Sequence, residues 1–188
     1  MNGYTESGDQ YLVKAVPGGV LIAAIDGLGH GEKAAVAAKA AVTLLEQSPH
    51  EPLTALFNRC HKRLMGTRGV VMSLGFINFT ENTLTWLGVG NVHGVLMRAD
   101  RAVHPPREIL LLRGGTVGYR LPELRPEVHT ITAGDTLIFV SDGVRSGFVH
   151  EVDLTLEPQQ IADSIFEKHA RGTDDTLVLV IQYTPEQR

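Results

Sequence analysis

The chain has very little of several features that identify common protein classes. Cys60 is the only cysteine among 188 residues, so an internal disulfide is impossible. No apolar run approaches the roughly 20 residues that span a bilayer, and no signal peptide opens the sequence. We therefore expect a cytoplasmic protein in which Cys60 is a small buried side chain rather than a nucleophile.

Charge and motif content exclude further classes. A net charge of -4 and a pI near 6.0 do not provide the excess positive charge that is typical of nucleic-acid-binding proteins. The absence of a GxxxxGK[ST] loop disfavours a magnesium-dependent enzyme of nucleotides or small phosphoesters. The eight histidines lack the close pairing that a zinc site requires. The length instead suits one domain, residues 1–188, with a substantial core.

The order of hydrophobic patterns predicts an α+β protein. Helices are expected over 32–47 and 53–65, and a short third helix after Pro158. Turn residues separate most of the strand-like runs, which favours hairpins and two mainly antiparallel sheets packed face to face. Helices would cover the outside of these sheets. The predicted strands cover 11–13, 20–25, 70–79, 83–87, 92–97, 109–112, 130–140 with an interruption at 133–135, and 176–183.

Aspartates stand at the ends of three apolar runs. Asp26 closes one run and opens the glycine-rich segment Gly27–Gly31, Asp142 closes another, and Asp174 and Asp175 precede the last strand. Converging carboxylates repel one another unless a positive charge lies between them. No lysine or arginine stands within the first two motifs, and hard divalent cations prefer oxygen ligands. The pattern predicts a metal site and phosphate chemistry.

Each motif also has an ordinary explanation when it is taken alone. Asp26 suits a capping position in a strand-to-helix turn, and Asp142-Gly143 is a common turn signal. The acids at 174 and 175 suit a solvated turn, and Ser7-Gly8-Asp9 is a typical loop tripeptide near a terminus.

Taken together and in order, four motifs resemble those of the PPM family of metal-dependent serine/threonine protein phosphatases. The form of the motifs and the compact length are most similar to the bacterial sporulation and stress-response branch. Gly88-Val89-Gly90-Asn91 also looks like a strand-end element of that family. The four motifs are Ser7-Gly8-Asp9, Asp26-Gly27-Leu28-Gly29-His30-Gly31, Ser141-Asp142-Gly143 and Thr173-Asp174-Asp175-Thr176.

The resemblance implies a four-layer α-β-β-α sandwich with two divalent cations, Mn²⁺ or Mg²⁺, between the sheets. A water activated by the two metals would hydrolyse phosphoserine or phosphothreonine on stressosome proteins with STAS domains. The sequence leaves open whether Asp174 or Asp175 is a ligand. The implied ligands are Asp26 for both metals, the Gly27 carbonyl for one, Asp142 and Asp174 for the other, and Asp9 directly or through water.

Two departures from the family pattern leave an alternative open. Leu28 stands where many eukaryotic members have a histidine proposed as the general acid, and the resemblance does not transfer that role to His30. An arginine that holds phosphate in several members is absent from the first thirteen residues. The alternative is a catalytically weak or inactive phosphoprotein-binding module of the same fold. Six arginines between 98 and 125 indicate either a docking surface for such proteins or a merely solvated surface.

Overall fold

The computed structural model describes residues 6–100, 102–172 and 175–184. The strands in these ranges are β1 (Asp9–Val16), β2 (Gly19–Gly27), β3 (Val70–Asn78), β4 (Thr83–Val89), β5 (His93–Met97), β6 (Arg107–Ile109), β7 (Leu112–Arg113), β8 (Glu127–Thr130), β9 (Thr136–Val140) and β10 (Val178–Gln182). The helices are α1 (Glu32–Gln47), α2 (Leu53–Leu64) and α3 (Pro158–His169), with a 3₁₀ helix at Ser146–His150. None of the helices in these ranges has the length and apolar character needed to cross a membrane.

The strands form two sheets. The first has the order β1-β2-β3-β4-β7, with β8 also paired to β4, and the second has the order β10-β9-β5-β6. Every ladder is antiparallel except the short β4–β7 pair. The prediction of two mainly antiparallel sheets is therefore confirmed.

Three apolar cores separate four layers. One core joins α1 and α2 to the first sheet, the second lies between the sheets, and the third joins the second sheet to α3 and the 3₁₀ helix. Strand β2 serves two of these cores, because successive side chains of a strand point to opposite faces. Leu21 and Ile25 face the helices, whereas Ile22 and Ala24 face the other sheet. The arrangement is the predicted α-β-β-α sandwich.

Small side chains bring α1 close to the first sheet. The helix has no glycine or proline and is rich in alanine, the best helix former. Ala34, Ala37 and Ala38 are completely buried against the sheet. A Cβ added to Gly27 would overlap the Ala34 carbonyl, so the start of the helix abuts the end of β2. This contact fixes where the glycine-rich segment leaves the strand.

The predicted strand 109–112 is wrong as a single element. Its first part belongs to β6 in the second sheet, and its last part belongs to β7 in the first sheet. Leu110 is buried in the core between the sheets, where the chain crosses from one to the other. The run 130–140 is divided in the same way, because β8 pairs with β4 and β9 pairs with β5 and β10. An apolar run that crosses between sheets resembles a strand in sequence.

Cys60 is buried on the inner face of α2, as predicted. Burial raises the pKa of its thiol to about 12, although the nearby Arg59 charge acts in the opposite direction. The thiol is therefore neutral at physiological pH, and Cys60 has the environment of a packing residue.

One of the arginines between 98 and 125 is not a surface residue. Arg98 is only 9% exposed and donates to Asp135 Oδ2 at 2.8 Å and to the Glu108 carboxylate. His129 Nδ1 lies 2.7 Å from the other Glu108 oxygen. Burial alone would raise the pKa of Glu108, but hydrogen bonds from Arg98 and His129 outweigh it and lower that pKa. This buried ion cluster stabilises the fold, whereas Arg125 forms an exposed pair with its neighbour Glu123.

Candidate metal centre

A cavity of about 160 Å³ lies where residues from both sheets converge. Four of its lining side chains are carboxylates, and no lysine or arginine is among the described residues that line it. The described lining consists of Asp9, Asp26, Leu28, Gly29, His30, Asn91, Asp142 and Asp175.

The first two carboxylates lie directly opposite each other in the first sheet. Asp9 of β1 is paired in register with Asp26 of β2, so both side chains point to the same face. That face is the one on which Ile22 and Ala24 meet the second sheet. Opposed residues of an antiparallel pair have Cβ atoms about 4.5–5.5 Å apart, and like charges at that spacing are destabilising.

The second sheet supplies the end of β9. Ser141 is buried, and its Oγ donates to Asp9 Oδ2 at 2.7 Å while accepting from the Leu177 backbone N–H at 2.9 Å. This hydroxyl joins the two sheets across the site. The next residue, Asp142, is exposed, and its Oδ2 accepts from Asn91 Nδ2 at 2.7 Å.

The final carboxylate comes from the segment before β10. Asp175 Oδ2 accepts from the Gly8 backbone N–H at 2.6 Å, which ties the start of β1 to the end of the fold. A Cβ added to Gly143 would overlap the Asp175 carbonyl, so the residue after Asp142 must be glycine. Asp174 lies outside the described residues, and the choice between Asp174 and Asp175 as a ligand stays open.

The glycine-rich segment is held by backbone contacts. Gly27 N–H donates to the Gly8 carbonyl at 3.1 Å, and Leu28 N–H donates to the Gly69 carbonyl at 3.1 Å. Gly29 has a φ of 88°, a conformation that side chains rarely adopt. Gly27 itself is buried and is not among the lining residues, so the role predicted for its carbonyl stays a prediction.

The donor set of the cavity suits a hard divalent cation. Carboxylate and amide oxygens are the ligands that Mg²⁺ and Mn²⁺ accept, and the four acids carry excess negative charge. Within the described ranges, no three histidine, cysteine, aspartate or glutamate side chains stand close enough together to form a ready-made metal-binding group. A cation here would therefore take part of its coordination from water, which Mg²⁺ usually retains in proteins.

Asn91 and Ser141, whose side chains donate to carboxylates of the site, were not among the predicted ligands. Asn91 belongs to the strand-end element that the family resemblance included, so a signal for it existed. Ser141 stands inside the predicted Ser141-Asp142-Gly143 motif, but its link to Asp9 depends on how the sheets pack and has no sequence signature.

Comparisons with known proteins show which family the sequence and the fold are similar to. The family model of stage II sporulation protein E (SpoIIE) matches residues 17–184. The phosphoserine phosphatase RsbX of Bacillus subtilis (strain 168) is 27% identical over 142 residues, which are 76% of this chain and 69% of RsbX.

Solved structures extend the similarity to the whole sandwich. A protein solved in work on the bacterial stressosome, a modular system adapted to control secondary messenger signaling, is 32% identical with a TM-score of 0.86. That match covers 95% of this chain and 93% of the other. RsbX in complex with magnesium has a TM-score of 0.83 at 23% identity, over 95% of this chain and 88% of RsbX, which shows a shared fold.

Proposed function

Because the chain belongs to the SpoIIE family, we propose that it is a metal-dependent phosphatase of phosphoserine and phosphothreonine in proteins. The observation that carries the proposal is the convergence of four carboxylates from both sheets on one small cavity. Such a cavity attracts divalent cations, and cations are needed there before a phosphate dianion can enter.

The side chains that would hold two divalent cations are Asp9, Asp26 and Asp142, together with Asp174 or Asp175. When bound, such cations supply an activated water and neutralise the charge of the phosphoryl group. The protein's own contribution is to hold its carboxylates in place. Ser141 fixes one oxygen of Asp9 by a hydrogen bond, and Asn91 fixes one oxygen of Asp142.

We further propose that the substrates are phosphorylated stressosome-type proteins with STAS domains. The support is the 27% identity to RsbX and the likeness to a protein solved in work on the stressosome. A cavity of about 160 Å³ suits substrates that are selected by contacts outside the site.

Hydrolysis of a phosphoserine peptide, measured with and without manganese, tests the proposed activity. We expect phosphate release that requires manganese and is abolished by a chelator, because the carboxylates alone repel the substrate phosphate. ATP should not compete when free manganese is held constant, since ATP itself binds the metal. A folded protein that binds manganese and the phosphopeptide without releasing phosphate would instead be a phosphoprotein-binding module.

Asn91→Ala should lower turnover about 10- to 100-fold, the usual effect of removing a group that orients a metal ligand. The loss should be partly recovered at high manganese, because the substitution weakens the support of Asp142 and leaves the carboxylate present. Turnover as a function of manganese concentration measures this.

Asn58→Ala is the matched control for that substitution. Asn58 is exposed on α2, and its side chain donates to the Thr54 carbonyl on the same helix. Equal manganese dependence in the two variants would show that Asn91 has no role at the site.

A further inference from the structure

A second cavity, of about 580 Å³, shares no lining residue with the metal-centre cavity but is linked to it by the contact between Gly29 and Arg68. It lies between the first turns of α1 and the connection from α2 to β3. Its volume is in the range of ligand pockets and far exceeds that of a phosphate group. The described residues that line it are Glu32, Lys33, Val36, Gly66, Thr67 and Arg68.

Arg68 lines the second cavity and lies against a residue that lines the first. A Cβ added to Gly29 would overlap Nη1 of Arg68, so the guanidinium group lies against the backbone of Gly29. Gly29 lines the metal-centre cavity, and Arg68 lines the second cavity. The absence of a side chain at Gly29 therefore lets the guanidinium group approach the backbone that lines the acidic cavity.

The guanidinium of Arg68 is available for a ligand. Its side chain is exposed and forms no hydrogen bond or ion pair with any residue in the described ranges. By contrast, Arg59 and Arg98 are both paired with carboxylates of the protein. A guanidinium group presents two parallel N–H donors that match the oxygens of a phosphate group.

We propose that Arg68 binds the phosphate of the phosphoserine substrate and that the second cavity receives the peptide flanking that residue. The proposal rests on the proposed function, because it assumes that phosphoserine enters the metal-centre cavity. The second cavity presents an apolar side chain, Val36, and charges of both signs at Glu32 and Lys33, which suits a peptide rather than phosphate alone.

Binding rather than turnover tests this proposal. The probes are inorganic phosphate and a phosphopeptide analogue whose phosphonate cannot be hydrolysed, each titrated into the manganese-loaded full chain. For Arg68→Ala we expect both probes to bind about 10- to 100-fold more weakly, since charge-assisted hydrogen bonds are lost. Arg68→Lys should restore part of the affinity, because lysine keeps the positive charge but lacks the two parallel N–H donors of the guanidinium group.

Two further variants separate the phosphate contact from the peptide contact. Arg63→Ala removes an exposed arginine that lines neither cavity and should change neither affinity. Val36→Trp fills the second cavity, so it should weaken the peptide analogue roughly tenfold and leave inorganic phosphate unchanged.

Equal binding of both probes by wild type, Arg68→Ala and Arg63→Ala would overturn the role of Arg68. Equal peptide binding by Val36→Trp would overturn the role of the second cavity. Both results are independent of turnover. If wild type binds the analogue more tightly than Arg68→Ala does but releases no phosphate from the phosphopeptide, this inference is supported and the proposed activity is contradicted.

Discussion

Asp26→Asn is expected to reduce manganese-dependent phosphate release by about 1,000-fold or more. Removing a group that only orients a metal ligand lowers activity or metal affinity about 10- to 100-fold. Removing a single hydrogen-bond donor that stabilises charge in the transition state lowers kcat about 100- to 1,000-fold. The carboxylate of Asp26 faces Asp9 in register and lines the cavity with the other acids. The fall in turnover when it is removed should therefore exceed both of these ranges. The measurement is phosphate release from a phosphoserine peptide over a range of manganese concentrations.

The same substitution should leave the fold intact and slightly increase stability without metal. It removes one of two like charges opposed across β1 and β2, a repulsion of up to about 1 kcal/mol. Asp163→Asn, on the exposed face of α3, is the control and should change neither the turnover nor the stability without metal. Residual turnover above a tenth of wild type would contradict the assignment of Asp26 as a metal ligand.

Arg98→Met should lower the free energy of unfolding by about 3–5 kcal/mol. Arg98 is the cation between two acids, and its removal leaves Asp135, which is 1% exposed, and Glu108 without their main partner. A buried charge without a partner is far more costly than the pair was stabilising. Denaturant unfolding, followed at constant pH near neutrality, measures the difference.

The exposed pair of Arg125 and Glu123 provides a matched control. Arg125→Met removes the same kind of side chain from the same kind of partner in solvent, and should have no measurable effect. Equal destabilisation by both substitutions would show that burial of the Arg98 cluster is unimportant.

The effect of Arg98→Met should depend on pH in the acidic range. Glu108 has a pKa below its ordinary value, so its contribution to stability is complete above a pH of about 4.3. As the pH falls through the lowered pKa, Glu108 takes up a proton and that contribution is lost. The difference in stability between wild type and Arg98→Met should therefore narrow below pH 4.

The fold was predictable where local pattern and burial agree. The bounds of α1 match the predicted 32–47, since an alanine-rich run without glycine or proline has no competing structure. The paired strands before Asn91 were also predicted, because short turns separate them. The passage of the chain from one sheet to the other at Leu110 was not predictable. In sequence, an apolar residue buried between two sheets looks the same as an apolar residue within a strand.

The candidate site was predictable in its carboxylates and not in the arginine that lies beside it. Asp9, Asp26 and Asp142 carry a sequence signature because each follows or begins a strand beside glycine. Arg68 has none, since its position against Gly29 arises from how the α2–β3 connection packs. Away from the site, Arg98 has a misleading signature, because it belongs to an arginine-rich stretch and yet is buried.

The hydrogen bond from Gly8 to Asp175 spans 167 positions of the chain. During synthesis, a nascent chain that has already formed the first sheet still lacks one carboxylate of the cavity. The wall of the site is closed only when the segment before β10 has left the ribosome and folded back onto β1. The cavity therefore lacks one of its four described carboxylates until almost all of the described chain has been made.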